Sequence, residues 1–154
     1  DTITGSLESE TITGGAGVDT MTGGGSIDLF VLSTVTDSNA ATAGAIDKIT
    51  DFSGEEDSIK TGTAGGTLRS VTLTTGYTSV DTIAELNTLL NATNGTASTA
   101  KFDGTGGDLA KITTNDARIL LAQDVDASGT FTAADVVVEI TGYTGTLVSG
   151  DVDA

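Results

Sequence analysis

Residues 14–22 and 23–31 read GGAGVDTMT and GGGSIDLFV, two consecutive copies of one nine-residue glycine/aspartate pattern. Nothing else in the chain restricts its fold as much, because each position has a mechanical task. Glycines admit tight left-handed turns that residues with a Cβ resist. Carbonyls exposed by such a turn, with an aspartate carboxylate beside them, make an all-oxygen cage suited to a hard cation such as Ca²⁺. The apolar residue two places after the aspartate, Met21 or Phe30, then falls on a short strand and points inward. Repeats of this order stack as parallel coils of short strands. The candidate ligating positions are Gly14, Gly15, Gly17 and Asp19 in the first copy, and Gly23, Gly24 and Asp28 in the second.

The period runs further than the two clean copies. Counting back by nines, Asp28 is preceded by Asp19, Glu10 and Asp1, while Phe30 is preceded by Met21, Ile12 and Ile3. Residues 5–13, GSLESETIT, are a degenerate copy without the double glycine, and Ser26 stands at the fourth-position glycine of its repeat. Counting forward reaches Asp37. A two-sided coil uses two repeats per turn. Asp1, Asp19 and Asp37 should therefore line one edge, and Glu10 and Asp28 the other. A flexible Gly/Thr/Ser linker has no reason to keep an acid and an apolar residue in phase over four repeats.

With these repeats in view, the chain resembles the C-terminal part of RTX (repeats-in-toxin) proteins, which leave the cell by type I secretion. A second stretch carries the resemblance independently: FVLSTVTDS (30–38) with IDKITDFSGEEDSIKT (46–61) is similar to the segment that caps the roll in serralysin-type exoproteins. The resemblance covers residues 1–61. It implies a calcium-loaded parallel β-roll, further ligands at Asp47 and Asp51, type I secretion machinery as a partner and an extracellular or bacterial cell-surface location.

Composition agrees with a metal-dependent exterior protein. Asp and Glu outnumber Lys and Arg by 22 to 6, a formal charge of -16. Such an imbalance opposes compaction by self-repulsion, which bound divalent cations relieve. Nucleic acid is a poor partner for so acidic a surface. The hydrophobic fraction of 37% is enough for a core, which argues against disorder. There is no Cys, so metal ions would do the stapling that disulfides do in other exterior proteins. The chain begins within a repeat and without Met, as expected of a piece of something longer. No transmembrane-length apolar run and no signal peptide are visible, and the latter suits the C-terminal signal of type I export.

Beyond residue 61 the pattern changes. Val71 and Leu73 alternate with polar residues as a short strand. Residues 82–91 read as a helix: Thr82 and Glu85 form a capping box, Ile83, Leu86, Leu89 and Leu90 share one face, and Asn94-Gly95 stops it. Leu109–Thr114 and Ala117–Gln123 read as antiparallel strands about a two-residue Asn115-Asp116 turn. Val136, Val137, Val138 and Ile140 form another strand. The expected architecture is mainly β: a parallel β-roll of nonapeptide repeats continuing into a capping β-sheet region with one short α-helix. Residues 1–61 would be the roll and its cap, with Ile49, Phe52 and Ile59 as apolar anchors. Residues 62–154 would be a C-terminal β-rich region.

That second region holds another oxygen cage. DVDASGTFTAAD (124–135) has acids or hydroxyls at loop positions one, three, five, nine and twelve, with Gly129 at six. This is the spacing of an EF-hand calcium loop. Asp124, Asp126 and Ser128 would give side-chain oxygens, Thr130 its carbonyl and Asp135 the closing carboxylate. The flanks RILLAQ and VVVEITG read as strands, where an EF-hand has helices, and an empty polar hairpin loop is the alternative.

Catalysis finds little to work with. With no His and no Cys, Ser-His-Asp and Cys-His chemistry are excluded, and zinc would lack its usual ligands. Paired carboxylates could cleave glycosides, but a sugar cleft with two Tyr, four Phe and no Trp has few rings to stack on. The glycine clusters lack the Lys-Ser/Thr of a P-loop. Glu55-Glu56-Asp57 reads as a solvated turn or calcium edge. The expectation is a non-catalytic, calcium-dependent structural module of a secreted surface protein, S-layer-like and self-assembling or bound to a cell-surface glycan. The alternatives are the calcium-binding and secretion domain of an exoenzyme, or the terminal domain of an adhesin.

Overall fold

A computed structural model describes residues 1–32, 46–73, 82–91, 96, 101–114 and 116–153. The repeats form three-residue strands: β1 (Thr2–Thr4), β2 (Thr11–Thr13), β3 (Thr20–Thr22) and β4 (Leu29–Val31). Side chains alternate across a strand, so the central Ile12, Met21 and Phe30 are buried while their neighbours face outward. Successive strands go to different sheets. β1 pairs with β3, setting Ile3 beside Met21, and β2 pairs with β4, setting Ile12 beside Phe30, both in parallel.

Residues 46–61 add a strand to each sheet: β5 (Asp47–Ile49) lies beside β3, and β6 (Ser58–Lys60) beside β4. Ile49, Phe52 and Ile59 join Met21 and Phe30 in one buried cluster, where the Phe30 and Phe52 rings lie 6.2 Å apart. The remaining elements are β7 (Leu68–Thr72), α1 (Ile83–Leu90), β8 (Asp108–Thr113), β9 (Ile119–Asp124), β10 (Val136–Ile140), a 3₁₀ turn at Ser149–Asp151 and β11 (Val152–Asp153). One sheet has the order β1-β3-β5-β10-β9-β8-β7, and the other β11-β6-β4-β2. The seven-stranded sheet therefore runs without a break from the repeats into the C-terminal part, through the parallel β5–β10 pair. The tail returns to the second sheet, where Val152 sits beside Ile59. The fold is mainly β, with two sheets of mostly parallel strands and one short helix.

Strands β8 to β10 show why their sequences are nearly continuous apolar runs rather than alternating ones. Leu109, Leu121, Val136 and Val138 face the cluster shared with the repeats. Ala110, Ile112, Leu120, Ala122 and Val137 face a second cluster with Leu86, Leu89 and Leu90 of α1. A sheet covered on both faces needs apolar residues on both. The helix starts where the capping box predicts. The Thr82 hydroxyl accepts from the Glu85 amide at 3.2 Å, and the Glu85 carboxylate accepts from the Thr82 amide at 3.1 Å. Its expected stop at Asn94-Gly95 lies outside the described residues.

The β8–β9 connection differs from the two-residue turn expected at Asn115-Asp116. The last paired residues are Thr113 and Ile119, so five residues connect the strands. Thr114 organises them: its amide donates to the Arg118 carbonyl at 2.9 Å, and its hydroxyl accepts from the Arg118 amide at 3.0 Å. Ala117 takes φ 66°. A threonine offering both backbone and hydroxyl groups closes a wider loop than the dipeptide signal suggests. Asn115 itself is outside the described residues.

One glycine shows how closely the repeat loops approach. Gly24 has φ +107°, and a Cβ there would collide with the Ser6 carbonyl in the loop after β1, a backbone atom that cannot swing aside. Gly24→Ala should therefore lower stability by about 2 kcal/mol or more. Gly150→Ala, whose Cβ would meet nothing within 4 Å, should be near neutral. Urea denaturation of the two variants checks this, and equal midpoints would contradict it.

Candidate metal centre

Strands β9 and β10 are an antiparallel hairpin pair, with Gln123 beside Val136, and their connection is the 125–135 segment. Asp124 ends β9 and Asp135 immediately precedes β10, so the sheet fixes both ends of the loop. Asp124, Asp126 and Asp135 each present a carboxylate oxygen within 4.8 Å of the others. Asp124 and Asp135 are buried, whereas Asp126 is exposed. Backbone amides hold the cluster open. Asp124 accepts from the amides of Ser128 at 3.1 Å and Gly129 at 2.8 Å. Asp126 accepts from the Ser128 amide at 3.0 Å. Asp135 accepts from the amides of Val125 at 2.8 Å and Thr132 at 2.7 Å.

The bend that lets the chain wrap around its own acids uses left-handed backbone at Ala127 (φ 59°) and Gly129 (φ 69°). Ser128 turns its hydroxyl to the Thr130 carbonyl at 2.9 Å, so these two expected ligands are adjacent. Burial pushes the Asp124 and Asp135 carboxyls above the ordinary aspartate range, and the Asp126 charge pushes both further. Amide hydrogen bonds partly offset this. Two buried carboxylates beside a third repel one another, a repulsion that either a proton or a bound cation relieves. The cluster could hold a metal ion.

The repeat acids form a different arrangement. Each backbone amide donates to the carboxylate that precedes the neighbouring strand or begins it: Glu10 to Asp28, Asp19 to Asp47 and Asp28 to Asp57, each at 2.9 Å. Asp1 donates to Asp19 through its ammonium group at 2.5 Å. Asp51 accepts from the amides of Gly23 and Gly24 at 2.9 and 2.8 Å. Each acid also folds over the first glycine of its own repeat. A Cβ on Gly14 would lie 2.7 Å from Asp19 Oδ2, one on Gly5 2.8 Å from Glu10 Oε2, and one on Gly23 would overlap Asp28. The first glycine is thus required by the carboxylate, in addition to the turns at Gly15, Gly17 and Gly24, which take positive φ. Ser26 adopts φ 73° at a position where its preceding repeat has Gly17.

Asp19, Asp28, Asp47 and Asp57 are buried. The second oxygen of Asp19, Oδ2, is enclosed without a hydrogen-bond partner among the described residues. Burial raises the Asp28 carboxyl pKa, with the Asp57, Glu10 and Asp51 charges adding to it.

Of the residues expected from the sequence, the structure brings Asp124, Asp126 and Asp135 into one cluster, with Ser128 and Thr130 on the same loop. Asp1, Asp19 and Asp47 fall on one ladder, and Asp28 on the other. Among the described residues no second trio of carboxylates converges. Asp37 lies outside the described residues; the place beside Asp19 is held by Asp47. Glu10 and Asp57 are further members of the Asp28 ladder, outside the expected ligand set. The signal for Asp57 was available: it precedes inward Ile59 by two residues, as Asp28 precedes Phe30. No protein-family model matches the chain, and no curated protein matches it either.

Proposed function

We propose that the chain is a non-catalytic, calcium-dependent structural module of a secreted bacterial surface protein of the repeats-in-toxin kind, one that assembles into an S-layer-like coat. The observation that carries the calcium part is the convergence of Asp124, Asp126 and Asp135 on a loop closed by amide hydrogen bonds. Its donors are all oxygens, the set a hard divalent cation takes. Ca²⁺ accepts the irregular geometry of carboxylates, a hydroxyl and a carbonyl better than Mg²⁺, which demands a near-ideal octahedron.

The repeats support the same reading. Strands that alternate between two sheets, with glycine turns between them, suit a β-roll with ions between its loops. The enclosed Asp19 Oδ2 is an acceptor that such an ion would satisfy. Millimolar calcium outside the cell fills weak sites that stay empty in the cytosol. The chain would leave through a type I exporter unfolded, then fold and assemble outside. Cancelling part of the -16 charge would let copies approach one another or a cell-surface glycan.

Asp124→Asn with Asp126→Asn should remove about one bound calcium per chain, as one such loop holds one ion. Elemental analysis of the dialysed protein reads the count, and an unchanged count would sink the assignment of this loop. Light scattering across a calcium titration tests the coat: particle size should rise at millimolar calcium and fall again with chelator. A chain that stays monomeric throughout would reject assembly.

A further inference from the structure

Loop 103–108, DGTGGD, has the same ingredients as the metal loop beside it, yet its carboxylates are already answered from within the protein. Arg69 on β7 reaches across to it with both arms of its guanidinium. One nitrogen lies 2.7 Å from Asp108 Oδ1, and the other 2.5 Å from Asp103 Oδ2. The remaining Asp108 oxygen accepts from the Asp103 amide at 2.5 Å. Asp108 is 1% exposed. A carboxylate so enclosed needs a paired cation, and the planar fork of arginine fixes the loop's shape as well as its charge.

This loop is the support on which the metal loop rests. The Gly107 amide donates to the Asp124 carbonyl at 2.9 Å, and Asp108 stands opposite Asp124 in the β8–β9 register. A Cβ on Gly104 would lie 3.9 Å from Gly129 Cα, and one on Gly106 3.7 Å from Ala127 Cβ. Ala127 and Gly129 are the two left-handed residues that curl the chain around the carboxylate cluster. Below them, the Phe102 and Phe131 rings stack with centroids 6.4 Å apart.

We propose that Arg69 is a positioning residue for the 124–135 metal site: a tethered cation that shapes loop 103–108 so that it holds Asp124, Ala127 and Gly129 in the ion-binding geometry. The inference rests on the metal reading of that loop. It makes a prediction opposite in sign to simple electrostatics. Deleting a positive charge near an acidic site strengthens the attraction for a cation by Coulomb's law. Loss of a support weakens binding instead, because the ligands must then be ordered by the ion itself.

The experiment is a calcium titration of the full chain followed by the amide NMR shifts of Ser128 and Gly129, on the wild type, R69Q, R69K and the D124N/D126N pair. R69Q should bind calcium at this loop at least tenfold more weakly, although the surroundings have become more negative. R69K keeps the charge but loses the two-armed grip, and should bind several-fold more weakly than wild type. The R69K arm also keeps the test decisive if R69Q does not fold. Wild-type affinity in R69K, or tighter binding in R69Q, overturns the role of Arg69. If the wild type shows no calcium-dependent shift that D124N/D126N abolishes, the metal reading itself fails and takes this role with it.

Discussion

Removing calcium with a chelator at neutral pH should abolish most of the β-sheet circular dichroism of the repeat region and lower the melting temperature of the whole chain. Asp19, Asp28, Asp47 and Asp57 are all buried, and Asp28, Asp47 and Asp57 each receive the backbone amide of the neighbouring acid in the ladder. Enclosed carboxylates repel one another until a cation neutralises them, so binding energy becomes folding energy. The magnitude is large. One site held at a hundred times its dissociation constant contributes about 2.7 kcal/mol. Two or more such sites approach the roughly 5–15 kcal/mol that holds a typical domain together. Asp19→Ala and Asp28→Ala should each reproduce part of the loss, whereas Glu8→Ala, on the exposed side of its loop, should not. An unchanged spectrum and melting temperature after chelation would refute the dependence.

The second large effect is an inversion of the pH response by calcium. Asp28, Asp124 and Asp135 have carboxyl pKa values raised on folding, in each case first by burial. A raised carboxyl favours the protonated folded state. Its contribution is fully present below the unfolded value, about 3.9 for Asp, and is lost as pH rises through the folded value. In chelator the chain should therefore melt higher at mildly acidic pH than at pH 7. Glu10, Asp103 and Asp116 are lowered, by the Ser6, Thr105 and Thr114 hydroxyls first. Asp103 and Asp116 are exposed and Glu10 is half-buried at the rim of its loop, so screening keeps their opposing effect small. With saturating calcium the order reverses, because the ion binds only deprotonated ligands and protons compete with it. Melting temperature against pH should fall with rising pH in chelator and rise in calcium. Parallel curves in the two conditions would rule out Asp28, Asp124 and Asp135 as the coupled groups.

Readability from the chain follows the sequence distance of the interaction. The repeats are local: a glycine turn, an acid and an inward apolar residue recur within nine positions, so Met21 and Phe30 could be assigned to a core from spacing alone. The 124–135 cluster is local too, since Asp124, Asp126 and Asp135 share one loop whose bend is encoded by Gly129. The Thr82–Glu85 cap spans three residues and was equally legible. Counting by nines does not find Asp47, which accepts the Asp19 amide from 28 residues on, where β5 pairs with β3. A nine-residue period carries no information about a pairing partner that lies out of phase with it.

What the sequence determined by itself is the short-range material: strand centres, turn glycines, one capped helix, and carboxylates grouped with other oxygens. Tertiary structure alone decided that β10 joins β5 in parallel, making one sheet of two differently patterned regions. It also decided that Val152 closes the second sheet against Ile59, and that Arg69 meets Asp108, 39 residues away. Backbone pairing is chemically indifferent to side-chain identity, and any of the chain's acids can attract an arginine. Which partners meet is set by the burial of both faces of β8 to β10, a property of the whole chain that no single segment carries.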